Sequence, residues 1–395
     1  MNGKLTLAQK RQLAQRARPL HYGGDRTGDE AQVSAGYDRF AGWGRWPARI
    51  ALALLAALLT LAAFTPVTVG QGEAAKPPSL AGVSIAPVKP VRSDDLRLYD
   101  AVIARLQRGE NYYDVVVEEH RKLPFPVKPG FAVRLPTLAY LAAWLGPRGM
   151  MAGSALLLAA IALVWWKRLG EEPGGAEHRL LALALLLTCS SFVLVRYFHV
   201  LHELWAGGLI ALALALHRPG RRWIGALLVA AMALAIRETA LPFVLLAAAM
   251  AGYRRDWREC LAWAGLAALF VALWALHLHL IAAQTRPDDL QSAPWITLRG
   301  LSGWLSLTIL PTPLRFLPSA LAGPMVVLAL FGWSGWRSSL GSFASLLLLG
   351  YGLAFMIAGR PENWYWGALV TPVLLVGLGF APMALHSLTK SAFSR

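Results

Sequence analysis

The sequence predicts an all-α, polytopic membrane fold, and three observations carry that prediction. The chain is 56% hydrophobic and only 15% charged over its 395 residues, with a mean hydropathy of +0.47. Soluble domains of this length are less apolar. Apolar runs of about 18 residues or more, long enough for a membrane helix, recur along the chain. They do not alternate polar with apolar as the tilted strands of a membrane barrel do. Basic residues gather in short stretches between these runs, the pattern that sets orientation in a bilayer.

Residues 1–47 read as a basic, disordered cytoplasmic tail with a short helix near Leu5–Ala17. The first apolar run begins too late for the core of a cleaved signal peptide, so Arg49–Val67 is expected to stay as the first span. Arg39, Arg45 and Arg49 hold its start inside, which puts 68–148 outside as a long first loop. Within that loop Phe131–Leu145 is apolar but short, and Arg134 and Pro136 interrupt it. It reads as a helix lying at the interface, with a second span as the alternative.

The remaining runs then thread in order. Gly149–Trp166 goes in, Leu180–Val195 out, and Val200–Leu216 in again. Trp223–Gly252 begins and ends beside basic clusters, so it is expected to be a hairpin of two short helices with Arg237, Glu238 and Thr239 at its outer tip. Cys260–Ala282 goes out, Pro318–Trp336 in, Leu340–Ile357 out and Trp366–Leu385 in. The expectation is about ten membrane helices in a domain spanning 48–388, with 389–395 as a second cytoplasmic tail.

The net charge of +16 belongs to the tail and the loops, and no basic motif interleaved with aromatics points to nucleic acid. Cys189 and Cys260 lie far apart in or beside apolar runs, so neither a disulfide framework nor a zinc site is expected. No metal and no cofactor are expected either.

With this threading the polar groups gather on the outer side. Charges near membrane depth are costly, so several on one face imply a water-filled cavity there. Asp94 and Asp95 open a helix behind Ser93, where they suit the positive N-terminal end. They are either a helix cap or a carboxylate poised over the cavity as a general base. Adjacent helical residues point about 100° apart, so only one of the two can face fully inward. Tyr112 and Tyr113 fit interfacial anchoring. His202 and Glu203 open an inward-running helix, where an unpaired glutamate would be costly. Arg237 and Glu238 interrupt a 30-residue apolar stretch, as an internal ion pair or as hydrated groups at a hairpin tip. Arg360 suits a phosphate by its planar fork, while the aromatics from Trp364 to Trp366 suit an interfacial belt.

The order of these parts resembles the GT-C superfamily of membrane glycosyltransferases. The shared features are a cytoplasmic N-terminus, one span, a long outer loop with an acidic motif near its start, and then many spans. The stretch Asp95-Leu96-Arg97-Leu98-Tyr99, with Ala104–Tyr113 behind it, is most similar to the polyprenyl-phosphate-mannose-dependent mannosyltransferases. The resemblance covers most of 48–388 as topology and only the first outer loop as motif. An Asp-Glu pair familiar in related protein mannosyltransferases is replaced here by Asp94-Asp95, and no large C-terminal soluble domain follows.

The resemblance implies an inverting transferase that moves a sugar from a polyprenyl-phosphate donor to an acceptor hydroxyl on a glycan, lipid or protein. Asp95 would be the base, with Asp94 beside it. Arg237 and Arg360 would hold the donor phosphate. Tyr99, Arg134, His202, Glu203, Glu238 and Asn363 would line the cavity. The partners would be this donor, its acceptor and membrane lipids. The Ala-, Leu-, Arg- and Trp-rich composition points to a GC-rich bacterial genome; the expected location is the bacterial inner membrane, where in a Gram-negative source the outer face and its site are periplasmic. The competing class is a transporter or lipid flippase, which often shows an internal repeat; no repeat is visible here. A non-catalytic envelope scaffold would not need the Asp95 carboxylate.

Overall fold

The computed structural model describes residues 36–69, 73–74 and 93–394, and from Tyr37 onward these belong to one unit. The helix expected near Leu5–Ala17, the tail up to residue 35 and most of the first loop before Ser93 lie outside the described residues. The tail expected to reach residue 47 is already packed from Tyr37. The Arg39 N–H donates to the Gly335 carbonyl at 2.8 Å, and the Arg337 N–H to the Tyr37 carbonyl at 2.7 Å.

Arg45–Phe64 (α1) is one apolar helix that buries only Ala48, Leu55 and Ala62. A seven-residue spacing is nearly two helical turns, so the three form a single stripe. The Ala62 end of that stripe packs on the helix Ser319–Gly335 and the Ala48 end on Ala381–Phe393, and Leu54, Leu61 and Phe64 stand exposed on the other side. After α1, Thr68–Val69 (β1) pairs antiparallel with Glu73–Ala74 (β2).

Asp94–Leu106 (α2) and Tyr112–Lys122 (α3) follow, joined through Gly109 at φ +85, a conformation glycine adopts without strain. Ser93 precedes α2 but its side chain makes no capping bond, whereas Asn111 caps α3 by accepting from the Tyr113 N–H at 2.9 Å. Leu96, Leu98, Val102 and Leu106 of α2 are buried, as are Val115, Val116 and Val117 of α3. With Val127, Val133 and Ile281 most of them form a small core that seats the pair on the bundle. We call this the cap end.

Phe131–Leu145 and Gly149–Trp166, expected as separate helices, correspond to the two helical segments of Thr137–Glu171 (α4), divided by a kink at Gly146 (φ 62, ψ −179); the first starts at Thr137, after a 3₁₀ turn at Gly130–Ala132. Glycine tolerates this left-handed φ, and Pro147 behind it has no N–H to lose. Arg179–Ser190 (α5) is followed by His202–Leu216 (α6), the central helix, of which twelve of fifteen residues are buried. Ile224–Ile236 (α7) and Leu241–Tyr253 (α8) flank a break at Arg237, and Trp257–Gln284 (α9) is long and apolar. Gly300–Ile309 (α10) is a buried helix that the sequence reading did not anticipate. Ser319–Gly335 (α11) and Ser339–Ile357 (α12) follow.

The last expected span, Trp366–Leu385, is not continuous. It comprises a 3₁₀ stretch Pro361–Leu369, the short Thr371–Leu374 (α13), a second 3₁₀ stretch, and Ala381–Phe393 (α14), with a 51° bend before α14. Its backbone lies hard against α11. A Cβ on Gly332 would meet the Gly377 carbonyl at 1.9 Å, and one on Gly377 the Ala329 carbonyl at 1.9 Å. Glycines at such crossings let helix backbones approach as no larger residue can.

Among the described residues four helices are long and apolar enough to cross a membrane: α1, α4 with its lead-in, α9 and α12; the bent pair ending in α14 makes a fifth. The helices α5 to α8 and α11 are apolar but shorter. At 1.5 Å per residue α6 is only about 22 Å long, short of the roughly 30 Å hydrocarbon core.

The ends of the α7–α8 pair meet on one side chain. Glu259 of α9 accepts from the Gly220 N–H at 2.9 Å and from Arg254 at 3.2 Å through Oε2, while His217 Nε2 lies 2.7 Å and Trp263 Nε1 3.3 Å from Oε1. His217 ends α6, so this clamp lies about 20 Å from the cap end, where α6 begins. We call it the base end.

Candidate active site at the cap end

Helical geometry separates the two aspartates. Asp94 points outward, 76% exposed, and pairs with Arg97 at 3.2 Å. Asp95 is half-buried. Burial raises its carboxyl above the usual range; Arg134 and the Tyr365 hydroxyl favour the charged form, and Glu203 and Asp94 oppose it. One turn further on, the Tyr99 hydroxyl accepts from Arg134 Nε at 3.2 Å, and burial raises that phenol as well.

Arg134 sits ahead of α4, where the Tyr112 hydroxyl donates to its carbonyl at 2.6 Å. Its guanidinium reaches Tyr99, the Tyr365 hydroxyl at 3.5 Å and Glu203 at 3.9 Å. Glu203, in the first turn of α6, accepts from Arg237 Nε at 2.7 Å, with both side chains 1% exposed. Arg237 also pairs with Glu238, and its guanidinium lies 5.9 Å from the Trp366 ring centre. Its backbone is extended (φ −146, ψ 117), which turns the side chain in between α7 and α8. Tyr351 holds this turn by donating to the Thr239 carbonyl at 2.6 Å.

His202 is buried beside the Tyr99 ring, 5.3 Å centre to centre. Among the described residues neither of its ring nitrogens makes a hydrogen bond of good geometry. It lines a cavity of about 20 Å³ with Tyr99, Tyr112, His120 and Arg134, room for about one water. Two larger spaces lie at this end, one sharing Ile103 and Val200 with the cavity and one walled by Trp366 and Tyr351. An apolar groove of about 230 Å³ runs between Pro242, Tyr351, Phe355, Trp366 and Leu369. A wider opening of about 820 Å³ lies at the α4 kink, with Asp100, Gln107, Arg196, Tyr197 and His199 on its walls.

Seven of the expected residues therefore come together: Asp95, Tyr99, Arg134, His202, Glu203, Arg237 and Glu238. Asp94 does not join them. Arg360, expected to hold the phosphate with Arg237, makes no bond to these seven among the described residues. It precedes the 3₁₀ stretch from Pro361, its guanidinium 5.8 Å from the Trp295 ring centre and 3.9 Å from Glu362. Asn363 is buried but serves the backbone, accepting from the Arg360 N–H at 3.1 Å. Tyr365, Trp366 and Tyr351 belong to the site and were not anticipated. The first two read as an interfacial belt, and nothing local marks Tyr351.

Chemically the cluster sets the carboxylates of Asp95, Glu203 and Glu238 against the guanidiniums of Arg134 and Arg237. Glu203 and Glu238 are matched to Arg237, so Asp95 is the carboxylate with proton-accepting capacity to spare. Comparison with protein-family models, curated proteins and solved structures finds no match to this chain.

Proposed function

We propose that the chain is an inverting glycosyltransferase that moves a sugar from a polyprenyl-phosphate donor to an acceptor hydroxyl. The observation that carries the proposal is the half-buried Asp95 carboxylate, on which the charges of Arg134 and Glu203 act, at the start of a helix whose next turns, through Tyr99, Asp100 and Ile103, line the cavity and the wider opening. Asp95 takes the proton as the acceptor oxygen attacks the anomeric carbon. The carbon–oxygen bond to the lipid phosphate breaks on the opposite face, and the configuration inverts. Raising the carboxyl by burial brings a base nearer its working pH, which is how general bases become effective.

The leaving phosphate is received by the Arg134 and Arg237 forks. Guanidinium groups hold phosphate oxygens in pairs and stay charged without a metal. The apolar groove beside Trp366 suits the prenyl chain, and the opening at the α4 kink admits the acceptor. In this reading the five shorter apolar helices complete a domain of about ten membrane helices around the site. The cap end faces the periplasm and the base end the cytoplasm, following the basic clusters. A cysteine placed at Gln107 then labels with an impermeant reagent from outside, and one placed at Gly220 does not; the reverse pattern refutes the orientation.

The deciding experiment measures transfer from polyprenyl-phosphate sugar by purified Asp95→Asn and Asp94→Asn. Loss of a general base slows a reaction by about a hundredfold to ten-thousandfold, so Asp95→Asn is expected to fall in that range while Asp94→Asn stays near wild type. Full activity in Asp95→Asn removes α2 from the chemistry and leaves a transporter or flippase as the better reading.

A further inference from the structure

The base end holds arginines in two states. Arg218 is paired with Glu171, and Arg254 with Glu259. Arg221, Arg222 and Arg258 are exposed, and none of their side chains makes an ion pair or hydrogen bond among the described residues. These three line one open cavity of about 460 Å³, together with Trp223, Ile224 and Asp256. Asp256 is its one acid, and that carboxylate already caps α9 by accepting from the Glu259 N–H at 3.2 Å. The walls therefore carry three arginines against one aspartate, a net excess of positive charge.

The surroundings indicate what kind of anion fits. Ile224, Leu228 and Met232 stand exposed at successive turns of α7, and Trp257 and Leu261 do so on α9. An anion in the cavity lies at the foot of two apolar, outward-facing rows. A phosphate that carries acyl chains satisfies both features, with its charge among the guanidiniums and its chains along the rows. We propose that this cavity binds the phosphate of an anionic phospholipid. The proposal is independent of the chemistry at the cap end.

The test titrates the purified full-length protein, in a zwitterionic detergent, with short-chain phosphatidylglycerol, phosphatidylcholine or inorganic phosphate, read by native mass spectrometry and thermal shift. Each basic residue near a membrane surface contributes about a factor of five to anionic-lipid binding, so Arg221→Gln/Arg222→Gln/Arg258→Gln together weaken phosphatidylglycerol binding roughly a hundredfold. The control Arg45→Gln/Lys167→Gln/Lys390→Gln removes the same charge from other exposed positions and is expected to leave binding near wild type. Equal weakening in both triples means a diffuse charge effect and overturns the site. Phosphate that displaces the lipid at matching concentration, or phosphatidylcholine that binds as well, overturns the anionic-lipid assignment. Should the triple fail to fold, Arg222→Gln and Arg258→Gln singly are each expected to weaken binding about fivefold, and unchanged binding in both overturns the proposal.

Discussion

Two buried glutamates at opposite ends of the central helix make an instructive pair. Glu259, at the base end, has both carboxylate oxygens fully used by the Gly220 N–H, Arg254, His217 and Trp263. Glu203, at the cap end, shares Arg237 with Glu238 and meets Arg134 only at 3.9 Å, and among the described residues its neighbour His202 makes no hydrogen bond of good geometry at either ring nitrogen. Both carboxylates are inside protein, yet one network is closed and the other is open. A closed buried network holds elements together, since every lone pair is satisfied within the fold. An open one beside a cavity keeps bonding capacity for something that arrives, and such local inconsistencies mark functional sites. Burial of charge alone therefore does not identify a site; unmet hydrogen-bonding capacity on the wall of a cavity is what sets the cap end apart.

The largest expected effect tests the open end. Asp95→Asn should cut sugar transfer by about a hundredfold to ten-thousandfold without changing the unfolding temperature. If activity falls only because the protein unfolds, the cap end is structural and the contrast disappears. At the closed end the outcome should be the opposite. Removing one partner of a buried pair costs about 3–5 kcal/mol, so Glu259→Ala should lower stability by that order in denaturant unfolding while the folded fraction keeps its specific activity. A stable but inactive Glu259→Ala would reverse the assignment of the two ends.

The cap should also be the acid-sensitive part. Burial holds the His120 imidazole at about 4, below its ordinary 6.5. The unfolded chain thus takes up this proton first as the pH falls from 6.5 towards 4, and stability drops by about 3 kcal/mol across that window. Asp289 adds a second loss lower down. Its bond from Arg121 depresses the carboxyl from 3.8 to about 2, so the stabilisation is complete above 3.8 and disappears as the pH falls towards 2. His120→Gln should flatten the upper part of the curve, as followed by hydrogen exchange in α3. An unchanged curve would show that another group controls it.

A smaller effect is expected at Arg237. Lysine keeps the charge but not the fork that joins Glu203 to Glu238. Arg237→Lys should weaken donor binding roughly ten- to hundredfold, the scale of one or two charged hydrogen bonds. Binding equal to wild type would place the phosphate elsewhere. Arg360→Lys should change donor binding about twofold at most, the scale of a weak ion pair such as the one it makes with Glu362 at 3.9 Å. A large loss there would draw Arg360 back into the site and extend the open network beyond the cap.

Local pattern in the sequence determined the helical class, the apolar length of α1, α9 and α12, the break at Arg237 and the acidic start of α2. Each follows from periodicity or from the cost of a charge in an apolar run, and both act over a few residues. The angle between Asp94 and Asp95 was equally legible, because the helix fixes it. Which of the two faces inward depends on how α2 is rotated on its seat, and the core around Val102, Val116 and Ile281 decides that through contacts distant in sequence. The same holds for Tyr351 and Tyr365, which reach the site by long-range packing, and for Arg360, whose guanidinium lies over Trp295. The broken course of the last segment was hidden for a related reason: its residues are apolar enough for a span, and only the backbone contact between Gly332 and Gly377 shows how it is bent against α11. Hydrophobicity states that a residue is withdrawn from water, but the partner that replaces water is chosen by the tertiary fold.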